Sequence, residues 1–178
     1  MATLDQFRSE FKGVRTNRFR VSGQLNGVGG GAVTPPGAGA NFFEFYCKAT
    51  SIPGSSIGII PVGYKGRPVK FSGERTYIDW VVQVYDSSVG NLRQLFDEWI
   101  NAMDTRDTHE INYNNANSNW TVEYMDMSGT QSNSQYQKKI SLVNCFPIDV
   151  SAIDLSYDVP DTFAEFTVTL TYDYWKYI

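Results

Sequence analysis

A chain of 178 residues, 42% hydrophobic and 15% aromatic, can bury one substantial core and reads as a single domain. Its formal net charge of −4, from 15 Lys and Arg against 19 Asp and Glu, argues against tight sequence-independent attachment to nucleic acid, which needs clustered cations to displace counterions from phosphates. No apolar run approaches the ~20 residues that cross a bilayer, and the opening MATLDQFRSEFKG lacks the apolar core of a secretory signal, so folding in a cytoplasm without a membrane anchor is expected.

Leu4, Phe7 and Phe11 recur at near-helical spacing and predict a short helix or docking arm within residues 1–15. Phe19, Val21 and Leu25 open the first strand, with Arg18, Arg20, Ser22 and Gln24 between them. From Asn26 to Asn41 the composition changes to NGVGGGAVTPPGAGAN, which cannot bury enough surface to fold alone and predicts a flexible loop or hairpin tip. Phe43, Phe45, Cys47 and Ala49 resume the alternation as a strand, closed by the Ile52-Pro53-Gly54 turn signal. Ile57–Val62 and Val69–Phe71 predict two short strands about a turn at Tyr64-Lys65-Gly66-Arg67. Next comes a long strand with Ile78, Trp80, Val82 and Val84 on its packed face and Tyr77, Asp79, Gln83 and Tyr85 on its wetter one.

A helix over residues 88–104 follows, announced by a Ser87-Ser88 cap. Leu92, Leu95, Phe96, Trp99, Ile100 and Met103 recur every three or four residues and give it a broad apolar stripe that must lie on a sheet. Residues 104–119 read as a polar loop. Trp120, Val122 and Tyr124 mark one strand, and Ile140, Leu142 and Phe146 the next, joined by a polar turn from Ser128 to Gln135. Pro147 is expected to break the ladder, and a short segment around Ile153 and Leu155 precedes the last strand. There Phe166, Val168, Leu170, Tyr172 and Tyr174 alternate with Glu165, Thr167, Thr169, Thr171 and Asp173, a run reaching roughly 40 Å at about 3.3 Å per residue. Ordinary strands run to about five or six residues, so the excess length points to use beyond the monomer.

Residues that could carry chemistry are few. His109 is followed by Glu110, but it is the single histidine, so a two-histidine zinc arrangement is impossible. Gly27 to Ala32 fits a dinucleotide-binding pattern only nominally, because Thr34-Pro35-Pro36-Gly37 follows where a helix must start. Cys47 and Cys145 are too far apart in sequence for a close-spaced metal pair and read as buried free thiols, with a disulfide between them left open. Asn119-Trp120-Thr121 is a glycosylation sequon by pattern alone, and Asp97, Glu98, Asp158 and Asp161 read as solvated carboxylates. No catalytic residue, metal ligand or cofactor is assigned. The rival of a different class is a carbohydrate-binding β-sandwich using Trp and Tyr as stacking platforms, but Trp80, Trp99 and Trp120 fall on apolar faces, as core residues do. A hydrolase using surface carboxylates would need a cleft that perturbs them.

Assembly is the remaining signal. Long strands at a sheet edge carry unpaired N–H and C=O groups, and one way to satisfy them is to pair with another copy. If the head-to-tail rotation closes, a ring results, and rings with complementary faces stack into a tube. The runs FYCKATSIPG, IPVGYKGRPVKFSGERTYIDWVVQV, FDEWINAMD and FTVTLTYDYW resemble the tail tube proteins of T4-type contractile-tailed bacteriophages, in the family's order from about Phe42 to Trp175. The Gly-rich segment from Asn26 to Asn41 and the loop from Asp104 to Asn119 look like additions to that pattern.

The resemblance implies a mainly β protein: a two-sheet β-sandwich or barrel with one flanking α-helix, whose strands join across six copies into a barrel around a lumen. It implies a virion tail component, assembled in the host cytoplasm. Its partners would be further copies of itself, a tail sheath protein, a tape-measure protein in the lumen, baseplate and tube-terminating proteins, and DNA in transit. The tube of a secretion machine or bacteriocin-like injection device uses the same architecture. In the family the hairpin corresponding to Val62–Ser72 reaches toward neighbouring subunits, which implies intersubunit contacts for Tyr64, Lys65, Arg67, Glu74 and Arg75.

Overall fold

The computed structural model describes residues 3–10, 15–26, 32–33, 43–87, 91–108, 110–111, 118–124, 138–158 and 161–178. In chain order the elements are α1 (Leu4–Glu10), β1 (Phe19–Ser22), β2 (Leu25–Asn26), β3 (Ala32–Val33), α2 (Phe43–Tyr46), β4 (Cys47–Thr50), β5 (Ser55–Tyr64), β6 (Arg67–Tyr77) and β7 (Trp80–Tyr85). They continue with α3 (Leu92–Met103), β8 (Ser118–Tyr124), β9 (Lys138–Val150), β10 (Glu165–Thr171) and β11 (Tyr174–Tyr177).

The main sheet runs β1-β8-β9-β10-β7-β4, with β11 also on β9, and every pairing is antiparallel. Its organising element is β9, which pairs over Lys138–Cys145 with β8 and over Ile140–Val143 with β11, then from Phe146 to Val150 with β10. Two layers therefore share one strand.

Alternation dictates which faces meet. Trp80, Val82 and Val84 are buried and stand opposite Leu170, Val168 and Phe166, also buried, so each cross-strand pair adds to one apolar face. On the other layer Trp120 and Val122 stand opposite Leu142 and Ile140. The layers touch where the Trp80 and Trp120 rings lie 5.8 Å apart. Helix α3 inserts Leu92, Leu95, Phe96 and Trp99 into the same core, Trp99 stacking on Trp120 with centroids 6.4 Å apart and planes 9° from parallel. Trp80, Trp99 and Trp120 are fully buried, so none of the three is a ligand platform.

The expected mainly β, two-layer architecture with a flanking helix is present, but several boundaries differ. Phe43–Tyr46 is a helical turn, not the start of a strand, and it drives Phe43 between Phe96 and Trp120, 5.9 and 4.9 Å away. The first strand stops at Ser22 because Gly23 lies against Trp120, where a Cβ would stand 2.1 Å from the ring. Leu25–Asn26 then pairs antiparallel with Ala32–Val33, the start of the Gly-rich segment with its middle, while residues 27–31 and 34–42 lie outside those described. His109 and the turn from Ser128 to Gln135 also lie outside the described residues.

Helix α3 starts later than expected, at Leu92. Its N-cap is Asn91, held in the left-handed region at φ 41° with no side-chain capping bond. Pro147 does not end its strand, because β9 runs on to Val150 through a bulge. Leu170 faces Pro147 and Thr169 faces Asp149, leaving Ile148 as the extra residue at a site where a missing N–H is tolerated. The final run is two strands, β10 and β11, divided at Tyr172–Asp173 as the chain changes layer. Tyr172 is buried and donates its hydroxyl proton to the Ile78 carbonyl at 2.8 Å. Ile78 itself is exposed between β6 and β7 and not on the packed face. Cys47 and Cys145 are free thiols, and burial pushes each up to about 12.

Candidate assembly surface

Strands β5 and β6 form a hairpin separate from the main sheet, with paired residues from Ser55↔Tyr77 to Tyr64↔Arg67. Ten residues at about 3.3 Å each give it a length near 33 Å. Both strands are far longer than the sequence pattern predicted. The turn is Lys65-Gly66, with φ 46° and 82°, the left-handed pair whose twist matches that of the flanking strands. At the base, Tyr77 packs against the core with its ring 5.9 Å from that of Tyr172.

Every side chain of β5 is exposed, and on β6 only Gly73 and Tyr77 are not. Ile60, Val62, Val69 and Phe71 occupy one face as the cross-strand pairs Ile60↔Phe71 and Val62↔Val69, while Ile57, Ile59 and Pro61 alternate onto the other. A ribbon in water with one apolar face, and with Ile57, Ile59 and Pro61 opposite Arg75, Ser72 and Lys70 on the other, is a surface that awaits covering. The signal in sequence was the consecutive pair Ile59-Ile60, since a strand with one wet face does not place apolar residues side by side.

The five residues expected to contact neighbours fall into two groups. Tyr64 and Arg67 face each other at the tip, and Lys65 in the turn places Nζ 5.5 Å from the centre of the Tyr64 ring. Glu74 and Arg75 lie beyond a bulge near the base, Arg75 opposite Ile57. Arg67 and Glu74 are seven positions apart, about 23 Å along the strand, so the two groups do not touch one another.

Two further surfaces stand out. Strands β1 and β4 end the sheet order, so each has one edge without a strand partner among the described residues. On β4, Lys48 donates to the Glu165 carboxylate of β10 and lies 5.6 Å from the Tyr85 ring; the bond to Glu165 favours the charged amine and raises its pKa. The segment from Ser151 to Ala164 exposes Leu155, Tyr157 and Phe163 almost completely. Along α3 the polar side chains of Arg93, Gln94, Asp97 and Glu98 line an open depression with Asp86 and Arg106. Among the described residues no group of three or more His, Cys, Asp and Glu is placed to hold a metal ion.

A two-layer β subunit with a long apolar hairpin and open edges is the form of a protein built to polymerise. The family described as phage tail tube protein matches residues 14–178, so the chain belongs to the phage tail tube protein family. Tail tube protein gp19 of Enterobacteria phage T4 is 28% identical over 134 residues, covering 75% of this chain and 81% of that protein. Its counterpart from Enterobacteria phage T6 is 28% identical over 138 residues with the same coverage. Among solved structures, the sheath/tube terminator of the extracellular contractile injection system PVC in its extended state superposes with a TM-score of 0.65 at 16% identity, covering 95% of this chain and 99% of that one. The tube terminating cap of the anti-feeding prophage gives 0.65 at 14% identity, covering 100% and 99%. At those identities the likeness is one of fold.

Proposed function

We propose that six copies of this chain close into a ring, that rings stack into the inner tube of a contractile phage tail, and that the tube is a conduit for the genome. The observation that carries this is the β5–β6 hairpin: one face is apolar, the other carries Ile57, Ile59 and Pro61 among polar residues, both are exposed, and the chain is a tail tube family member. Burying Ile57, Ile59, Ile60, Val62, Val69 and Phe71 against other copies supplies the driving force, at roughly 25 cal/mol per Å² of apolar area removed from water. Tyr64, Lys65 and Arg67 contact one neighbour at the tip, and Glu74 and Arg75 another near the base.

The tube performs no reaction. It is enclosed by a sheath protein, filled before ejection by a tape-measure protein, and joined to baseplate and tube-terminating proteins, in host cytoplasm before release. Similarity in fold to a sheath/tube terminator and a tube cap supports such neighbours. The net charge of −4 suits a channel that DNA passes without binding, since cationic walls would hold phosphates. Residues 1–178 act as one domain with an N-terminal arm. The injection-device reading is weaker, because sequence identity at the 28% level is to phage proteins.

Negative-stain microscopy of the concentrated protein, alone and with its baseplate, tests the proposal. Stacked rings with sixfold end views are expected. Single particles under both conditions would overturn it.

A further inference from the structure

The connection from β9 to β10 exposes large apolar side chains. Leu155 and Phe163 are 86% and 83% exposed and Tyr157 is wholly so, a concentration on one short connection that marks an interaction surface. Beside them a groove of about 440 Å³ is lined by Gln83, Ser151, Asp154, Phe163, Glu165 and Thr167. Residues 149–165 also carry five carboxylates, Asp149, Asp154, Asp158, Asp161 and Glu165, and neither Lys nor Arg. Of the two carboxylates that line the groove, Glu165 already takes Lys48, whereas Asp154 has no ion-pair partner among the described residues.

The β5–β6 hairpin has the complementary composition: four cations, Lys65, Arg67, Lys70 and Arg75, against the single carboxylate of Glu74. Tyr64↔Arg67, Val62↔Val69 and Ile60↔Phe71 are pairs spaced two residues apart, so Arg67 stands at the tip of the same face that carries the apolar side chains. Its guanidinium has no carboxylate partner among the described residues. An apolar strip that ends in a free cation thus matches an apolar connection that borders a free carboxylate.

The two surfaces lie at opposite ends of the same strand pair. The hairpin leads into β7 near Trp80, which faces Leu170, whereas Tyr85 at the other end of β7 faces Glu165, about 17 Å along the strand. A contact between them in two copies is head to tail, and it leaves each pair with one hairpin and one acidic connection open for the next copy.

We infer that the apolar face of this hairpin lies on Leu155, Tyr157 and Phe163 of a second copy, with Arg67 entering the groove to pair with Asp154 of that copy. This rests on the ring-and-tube reading and names the surface that receives the hairpin. The apolar contact supplies adhesion without direction, and the directional guanidinium–carboxylate pair fixes the register.

Carbodiimide crosslinking tests the contact, because the reagent joins an amine to a carboxylate that touches it. Tubes are assembled from equal amounts of isotope-labelled and unlabelled full-length chains carrying Arg67→Lys, which keeps the charge and supplies the amine. Position 67 joined to Asp154 in mixed-label pairs is expected. Same-label pairs alone would show a hairpin folded onto its own chain and would overturn the inference, as would tubes in which position 67 is joined to no carboxylate of residues 149–165.

Charge exchange is the second measurement. Arg67→Asp and Asp154→Arg, both at exposed positions, should each raise the concentration needed for tube assembly at least about tenfold with the melting temperature unchanged, and the two together in one chain should restore it. Single reversals without effect, or a double variant no better than the singles, would overturn the inference and leave the tube reading standing so long as the unaltered chain forms stacked rings. If the unaltered chain forms none, that reading fails and the inference with it.

Discussion

Gly73 lies back to back with Gly58 across the β5–β6 hairpin: a Cβ on Gly73 would stand 3.1 Å from both the carbonyl carbon and the oxygen of Gly58. The contact sits at the bulge between Ile57 and Ile59, where the ribbon changes register. Because the obstructing atoms are backbone, a side chain there must shift the partner strand.

Gly73→Val is therefore expected to abolish or strongly reduce tube formation while leaving the melting temperature nearly unchanged, since the hairpin lies outside the core. Gly63→Ala, with nothing within 4 Å of its added Cβ, is the neutral control. Microscopy paired with calorimetry separates the two readouts, and a normal tube yield for Gly73→Val would refute the expectation.

The opposite pattern is expected at Gly23. A Cβ there would stand 2.1 Å from Trp120, whose ring touches Phe43, Trp80 and Trp99. Gly23→Ala should lower stability by about 3 kcal/mol, the range for overpacking a filled core. Urea denaturation measures it, and a loss below about 1 kcal/mol would mean that Trp120 has room to move.

Alkaline pH should weaken the fold. Burial pushes Cys47, Cys145 and Tyr172 each up to about 12, above ordinary values of about 8.5 for a thiol and 10 for a tyrosine. The folded state holds these protons more tightly, so stability is fully present below about pH 8.5 and falls as pH rises toward 12. Denaturation midpoints across that window should show the decline, with a shallower slope when Cys47 and Cys145 are both replaced by Ala. An unchanged slope would exclude the thiols as its source.

Tyr172→Phe should cost about 1 kcal/mol by leaving the Ile78 carbonyl without its 2.8 Å donor. Ile78 joins the hairpin to the main sheet, so amide exchange at Tyr77–Trp80 should accelerate more than exchange in β9. Uniform acceleration would point to global destabilisation instead.

Charge reversal at the hairpin tip, Lys65→Glu with Arg67→Glu, should reduce assembly without changing the melting temperature. The same reversal at Arg75 alone tests the second contact near the base. If both variants form tubes as readily as the unaltered chain, these residues are ordinary solvated positions.

What sequence revealed and what it concealed have physical reasons. Period-two alternation marked β7 and β10 correctly because each lies between a packed and a wetter face. The same rule misassigned Phe43–Tyr46, where tertiary packing of Phe43 against Phe96 and Trp120 overrides local pattern. Pro147 was misread because a proline's effect depends on whether its partner offers a ladder bond, and the bulge opposite Leu170 removes that need. The division of the last run at Tyr172 was invisible, since alternation continues across it while the chain changes layer. The hairpin turn at Tyr64–Arg67 was legible from Lys65-Gly66, but the exposure of both faces follows from the hairpin's separation from the sheet, a tertiary fact.

The shared strand β9 has a mechanical consequence. A load applied to one layer of the subunit is carried into the other along covalent backbone, with hydrogen-bonded neighbours on both halves, and is not left to side-chain friction between separate sheets. The bulge at Ile148 fixes where that strand passes from one layer to the other, so the two layers are joined at a defined point of the backbone.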